Sequence, residues 1–159
     1  MRYLDTLLLY FEEEIMGEAY FLALADAFNE PVQKHKMTLL AKVERQAAEI
    51  VRPLLDKYEL RPRTDEVLHE IGLDDVAKTK NMGWQGMITH MVNNYPDYMP
   101  QFEVLETMAP IEDRPLLEIL TEHETATIEF AKLELSGDPE STVLLETYIK
   151  NCKEIRGLT

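Results

Sequence analysis

The sequence predicts an all-α fold: a four-helix bundle of two antiparallel hairpins joined by a long crossover, followed by a C-terminal helix. Three observations carry this. Long stretches repeat apolar residues at the three-and-four spacing of a buried helix seam. Prolines and glycines stand where those stretches end. One connection, about residues 60–83, is far longer than two antiparallel neighbours need, and long enough to cross the bundle from end to end. The 159 residues fit a single domain, with the bundle over about 3–135 and the last helix over about 139–156.

Composition narrows the function classes. Hydrophobic residues make up 45% and charged residues 29%, a globular balance. No apolar run approaches the ~20 residues that span a bilayer, and no signal segment opens the chain. A net charge of −14 argues against a nucleic-acid backbone or an anionic membrane as partner. The lone Cys152 leaves no disulfide framework and no cysteine-rich zinc site. A cytoplasmic location is the expectation that follows.

The first helix is read from Leu4 to Phe28, ending before Pro31, which cannot continue it. Its seam runs Leu4, Leu8, Phe11, Ile15, Glu18, Leu22, Ala25, apolar but for Glu18. A carboxylate in a core seam costs several kcal/mol unless it is paired, so a partner is required. Glu14, one turn earlier, is the neighbour able to share its site. The second helix, about Pro31 to Tyr58, has the seam Met37, Leu40, Glu44, Ala47, Val51, Leu54, Tyr58, again with one charge. Glu18 and Glu44 lie equidistant from the turn near residue 31, so the hairpin is expected to set them at one height, facing one interior. Two such carboxylates share a proton, find a cation or bind a metal.

Thr64 is placed to cap a short crossover helix holding Val67, Leu68 and Ile71, with Gly72 at its end and His69 on its surface. The third helix begins near Trp84 with the seam Trp84, Ile88, Met91, Tyr95, Tyr98, Phe102, Leu105. Pro96 and Pro100 predict a kink or short break inside it, a bend that either opens space beside a site or follows the bundle. Beyond the break Glu106 falls within the apolar arc and Glu103 at its edge. The fourth helix, Pro115 to about Leu135, centres His123 on its buried face, with Glu122, Glu124 and Glu129 on a solvated flank. Asp138 and Pro139 read as the cap and first position of the last helix. Its apolar face either packs across the bundle or forms a homodimer contact.

Each core seam thus carries one ionisable group: Glu18, Glu44, Glu106 (or Glu103) and His123, with Glu14 a further candidate. Inward carboxylates with an imidazole are the donor set of an iron or manganese site. At these residues the chain resembles the ferritin-like superfamily, in particular its rubrerythrin-like branch. Gly17-Glu18-Ala19-Tyr20 looks like that branch's first-helix motif, Val43 to Glu49 like its second-helix Glu-x-x-His motif, and His123-Glu124 like the end of its second Glu-x-x-His. The similarity covers roughly residues 5–135 and implies a carboxylate–histidine iron centre with redox or oxygen chemistry. Two positions depart from it: Ala47 stands where the branch has a histidine and Leu120 where it has a glutamate.

Two readings stay open from sequence. One is a metalloprotein with a reduced iron or manganese site, an iron-dependent oxidoreductase if it is an enzyme. The other is a metal-free bundle in which Glu18, Glu44 and His123 satisfy one another and the protein serves as a binding or interaction module. A third arrangement, a small-molecule site walled by Phe11, Tyr20, Trp84, Tyr95, Tyr98 and Phe102 with Glu18 and His123 as acid and base, is also compatible.

Overall fold

The computed structural model describes residues 2–158, and among them there are helices and turns but no strand. Helix α1 spans Tyr3–Ala27 and α2 spans Pro31–Lys57, Pro31 being the first residue of α2. The link is short because proline cannot continue α1 yet suits a first turn. Lys34 reaches back to donate to the Ala25 carbonyl at 3.0 Å, satisfying one of the acceptors a helix end exposes. Contacts then climb α2 as they descend α1: Ala25 with Lys34, Glu18 with Arg45, Tyr3 with Tyr58. The pair is an antiparallel hairpin. Its α2 seam is buried as the spacing predicts, from Met37 through Leu40, Ala47 and Val51 to Leu54.

The crossover behaves as its length predicts. Glu59 turns the chain out of α2 with φ of 55°, and Thr64 caps α3 (Asp65–Asp74) by accepting from the Val67 amide. Helix α3 lies along α1, so closely at Gly72 that a Cβ there would stand 2.2 Å from the Met16 carbonyl oxygen. It runs on to Asp74 rather than stopping at Gly72. A single turn, α4 (Val76–Thr79), leads to α5 (Gly83–Asn94). Trp84 at the start of α5 packs edge-on against Phe28, with ring centroids 5.2 Å apart. The chain has therefore left the end of the bundle where α2 stops and re-entered at the opposite end.

Pro96 and Pro100 produce the expected break. A 3-10 turn, Tyr95–Tyr98, separates α5 from α6 (Met99–Met108). Helix α7 (Arg114–Leu135) returns antiparallel to α5 and α6, touching them through Trp84 with Glu134 and Glu106 with Thr121. Two carboxylates brace the bundle, one at each end. Asp113 accepts from Tyr3, Tyr58 and Lys57 at 2.5–2.9 Å. Glu134 accepts from Lys36, Trp84 and Ser141 at 2.6–3.1 Å.

Helix α8 starts later than the sequence suggests, at Val143, and ends at Ile155. Instead of capping a helix, Asp138 accepts from the Glu140 amide and closes a turn, which takes up residues 137–142. Leu145, Tyr148, Ile149 and Cys152 of α8 are buried against α2 and α7. Of the two roles open to its apolar face, packing across the bundle is the one observed. No helix among the described residues is long and apolar enough to cross a membrane.

Candidate metal centre

Three of the residues singled out by sequence meet in the bundle interior: Glu14 of α1, Glu44 of α2 and His123 of α7. His123 Nε2 lies 2.9 Å from Glu14 Oε2 and 3.3 Å from Glu44 Oε2. Each offers one ligand atom, and the three atoms lie within 4.8 Å of one another. Donors held ~2.1 Å from a first-row metal stand at most ~4.2 Å apart, so small rotamer adjustments close the set around one ion. The other ring nitrogen, Nδ1, contacts the Leu120 carbonyl. It therefore carries a proton and donates it, which orients the ring and presents Nε2 to the carboxylates. This is how a metal-binding imidazole is usually held.

A fourth group joins them. Glu124 is buried, with Oε2 3.7 Å from His123 Nε2. Glu124 Oε1 is buried and makes no hydrogen bond, and the one polar contact of buried Glu14 Oε2 among the described ion pairs is His123 Nε2. Unsatisfied oxygens of this kind cost ~1–3 kcal/mol each, more when charged, and they mark the place where a cation or a proton belongs. The donor set of two carboxylates and one imidazole, Glu14, Glu44 and His123, suits iron or manganese.

The electrostatics agree. Burial and repulsion from Glu44 hold Glu14 well above the usual carboxylate range, against the pull of His123. For Glu44, burial opposes ionisation, but the proton held on Glu14 and the His123 ring bring it below that range. Burial disfavours the charged form of His123, and the two carboxylates overcome it, so its pKa lies well above the ordinary value. Glu124 is pushed up to about 7 by burial, His123 opposing and Glu44 adding to the rise. Without metal the cluster is a store of protons around one imidazolium–carboxylate pair.

Gly17 makes the geometry possible. The Glu44 side chain lies directly on the α1 backbone there, and a Cβ at residue 17 would meet its Cδ at 3.0 Å and Oε1 at 3.1 Å. The glycine is the gap through which α2 delivers its carboxylate to Glu14.

The other sequence candidates lie elsewhere. Glu18 sits at the height predicted, beside the residue after Glu44, but faces the α1–α2–α3 seam. It takes two hydrogen bonds from Arg45 at 2.7 and 2.8 Å and contacts His69 at 2.9 Å. The partner its burial demanded is thus a guanidinium, and His69 is half-buried rather than on the surface. Glu106 accepts from Thr121 at 2.6 Å on the α6–α7 seam, and Glu103 is exposed. Ala47 and Leu120 are fully buried in apolar packing. Glu124, which the helical period places on a solvated flank, is the residue that sequence reasoning missed; its adjacency to His123 was the available signal.

The cluster opens on a cavity of about 810 Å³. Its wall holds Tyr20, Tyr95, Tyr98 and Phe102 of the ring set named from sequence, together with Tyr10 and Phe21, but neither Phe11 nor Trp84. Tyr95 and Tyr98 belong to the 3-10 turn. The proline break therefore borders the space beside the site. Compared with protein-family models, with curated proteins and with solved structures, the chain matches none.

Proposed function

We propose that this is a ferritin-like metalloprotein that holds one iron or manganese ion through Glu14, Glu44 and His123 and acts on a small molecule in the adjoining cavity as an oxidoreductase. The observation that carries the reading is the buried pair of carboxylates facing His123 Nε2, with a third carboxylate oxygen, Glu124 Oε1, left without a partner beside an open cavity. Support for the ferritin-like lineage comes from the hairpin, full-length crossover and second hairpin, together with the motifs around Glu44 and His123. Ala47 and Leu120 supply no donor atoms, which favours a single ion over a pair.

An iron ion with open coordination positions supplies one-electron redox chemistry and activation of oxygen or peroxide. The chain's own residues do the rest. Leu120 fixes the His123 tautomer, Gly17 admits Glu44, and Glu14 and Glu124 take up or release protons as the site's charge changes. The aromatic side chains of the cavity wall shape what reaches the cluster.

A second reading, a metal-free network, has one observation in its favour: a proton on Glu14 and one on His123 neutralise the Glu14–Glu44–His123 group without a metal. Elemental analysis separates the two. Protein purified without chelators should carry, or take up anaerobically from ferrous or manganous salt, about one equivalent of metal, lost in Glu14→Ala, Glu44→Ala and His123→Ala. A wild-type protein that binds none under either condition would leave the proton-bridged network as the account.

A further inference from the structure

We infer that the cavity selects an organic ammonium ion, a primary or secondary amine carried on an apolar or aromatic body. Three features of its wall lead there. Its charge is one-sided: Glu13, Glu14, Glu44 and Glu124 are acidic, and the one lysine, Lys78, forms a pair of its own with Asp75 at 3.0 Å. The two histidines on the wall are engaged too, His90 with Asn94 and His123 with Glu14 and Glu44. An anionic ligand would meet repulsion with no unpaired lysine or arginine on the described wall to offset it.

The second feature is an acceptor without a donor. Glu124 is more than nine-tenths buried, lines the cavity, and leaves Oε1 with no hydrogen-bond partner. A ligand without a donor group would leave that oxygen unpaired. An N–H of an ammonium group both donates to it and balances its charge, the stronger kind of hydrogen bond. The third is the ring wall of Tyr10, Tyr20, Tyr95, Tyr98, Phe21 and Phe102, whose electron-rich faces favour a cation and whose area favours an apolar body. At about 810 Å³ the space suits a small molecule rather than a peptide chain. The assignment rests on the reading above only in taking this ligand to be the molecule acted upon; selection of a cation by the wall is independent of it.

A charge series of matched ligands tests it without any variant: 2-phenylethylamine, 2-phenylethanol and phenylacetate, titrated by calorimetry into metal-free protein and into protein loaded with manganous ion. The amine should bind at least about tenfold more tightly than the alcohol in both forms, and the acid more weakly than either. Glu124→Gln, which keeps the shape and removes the charge, should erase the preference for the amine and leave alcohol affinity unchanged. Exposed Tyr98→Leu should weaken the amine more than the alcohol. Equal affinities for amine and alcohol, tighter binding of the acid, or a preference retained in folded Glu124→Gln would each overturn the inference. Cation selection in a protein that binds no metal would support it while removing the metal reading; metal uptake without cation selection would do the reverse.

Discussion

Gly17→Ala separates the site from the fold more sharply than deleting a ligand does. The new methyl would lie 3.0 Å from Glu44 Cδ, 3.1 Å from Oε1 and 3.3 Å from Cγ, where ordinary contact begins at 3.4 Å. The carboxylate must therefore retreat from α1 by a few tenths of an ångström. Two effects follow with opposite signs. In the middle of a helix alanine is favoured over glycine by ~0.5–1 kcal/mol, and Glu44 keeps part of its exposure, so the side chain has room to move outward. Global stability should stay within about 1 kcal/mol of the parent.

Metal binding has no such tolerance, because ligand distances are fixed to within ~0.2 Å. Displacing one of three protein ligands by more than that should lower affinity by about 10–100-fold, the range seen when a group supporting a ligand is lost. Urea unfolding of the metal-free protein and competition with a chelator for manganous ion read the two quantities independently. A variant that keeps parental affinity would refute the argument, since Glu44 would then not reach the ion along the path described. A large loss of stability would refute it differently, by showing that Glu44 is wedged rather than free to retreat.

The remaining predictions concern the frame and the liability of the site. Asp113→Asn removes the buried charge that Tyr3, Tyr58 and Lys57 all address and should lower stability at neutral pH by about 2–3 kcal/mol, measured by urea midpoint. Burial works against ionised Asp113, but hydrogen bonds from Lys57, Tyr58 and Tyr3 hold its pKa below the ordinary carboxylate value. Its contribution is present above that ordinary value and is lost as pH falls through the depressed one, so the variant should show a flatter acid limb in a pH series of thermal melts; an unchanged limb would remove Asp113 from the account. Gly72→Ala drives a methyl to 2.2 Å from a main-chain oxygen of α1, where neither side can yield. It should cost at least ~2 kcal/mol and expose residues 60–82 to limited proteolysis, and parental resistance would show that the two helices separate freely. Replacing Glu14, Glu44 and His123 together by leucine should abolish metal uptake yet stabilise the fold by about 1–4 kcal/mol, because well-packed apolar groups commonly outperform a buried charge network. Destabilisation by the triple replacement would identify the cluster as structural.

What the sequence made legible depended on how each helix is covered. Helices α2 and α7 keep most of their polar residues to one side, although each packs against several neighbours, so Glu44 and His123, charges within the apolar side, could be read as interior and meet there. Helix α1 is packed by α2, by the crossover helix α3 and by α6. Apolar residues are then needed nearly all round it, and the period loses its power to say which direction is inward. That is why Glu18 and Glu14, one turn apart, exchanged roles: Leu22 of the expected seam is exposed while Phe21 and Leu24 are buried. Glu124 failed for a different reason. Glu124 lies one position past His123, at the edge of the buried face between Leu120 and Ile128, where the period alone does not say whether a carboxylate meets a cavity or bulk water. The distinction lies in the 3-10 turn at Tyr95–Tyr98, which borders the space beside it. The prolines announced that the helix would break, and only the packing of the rings decided that the break would border a chamber. Buried charge on a helix whose polar residues keep to one side is therefore readable from one sequence, whereas charge beside a cavity requires knowing what borders it.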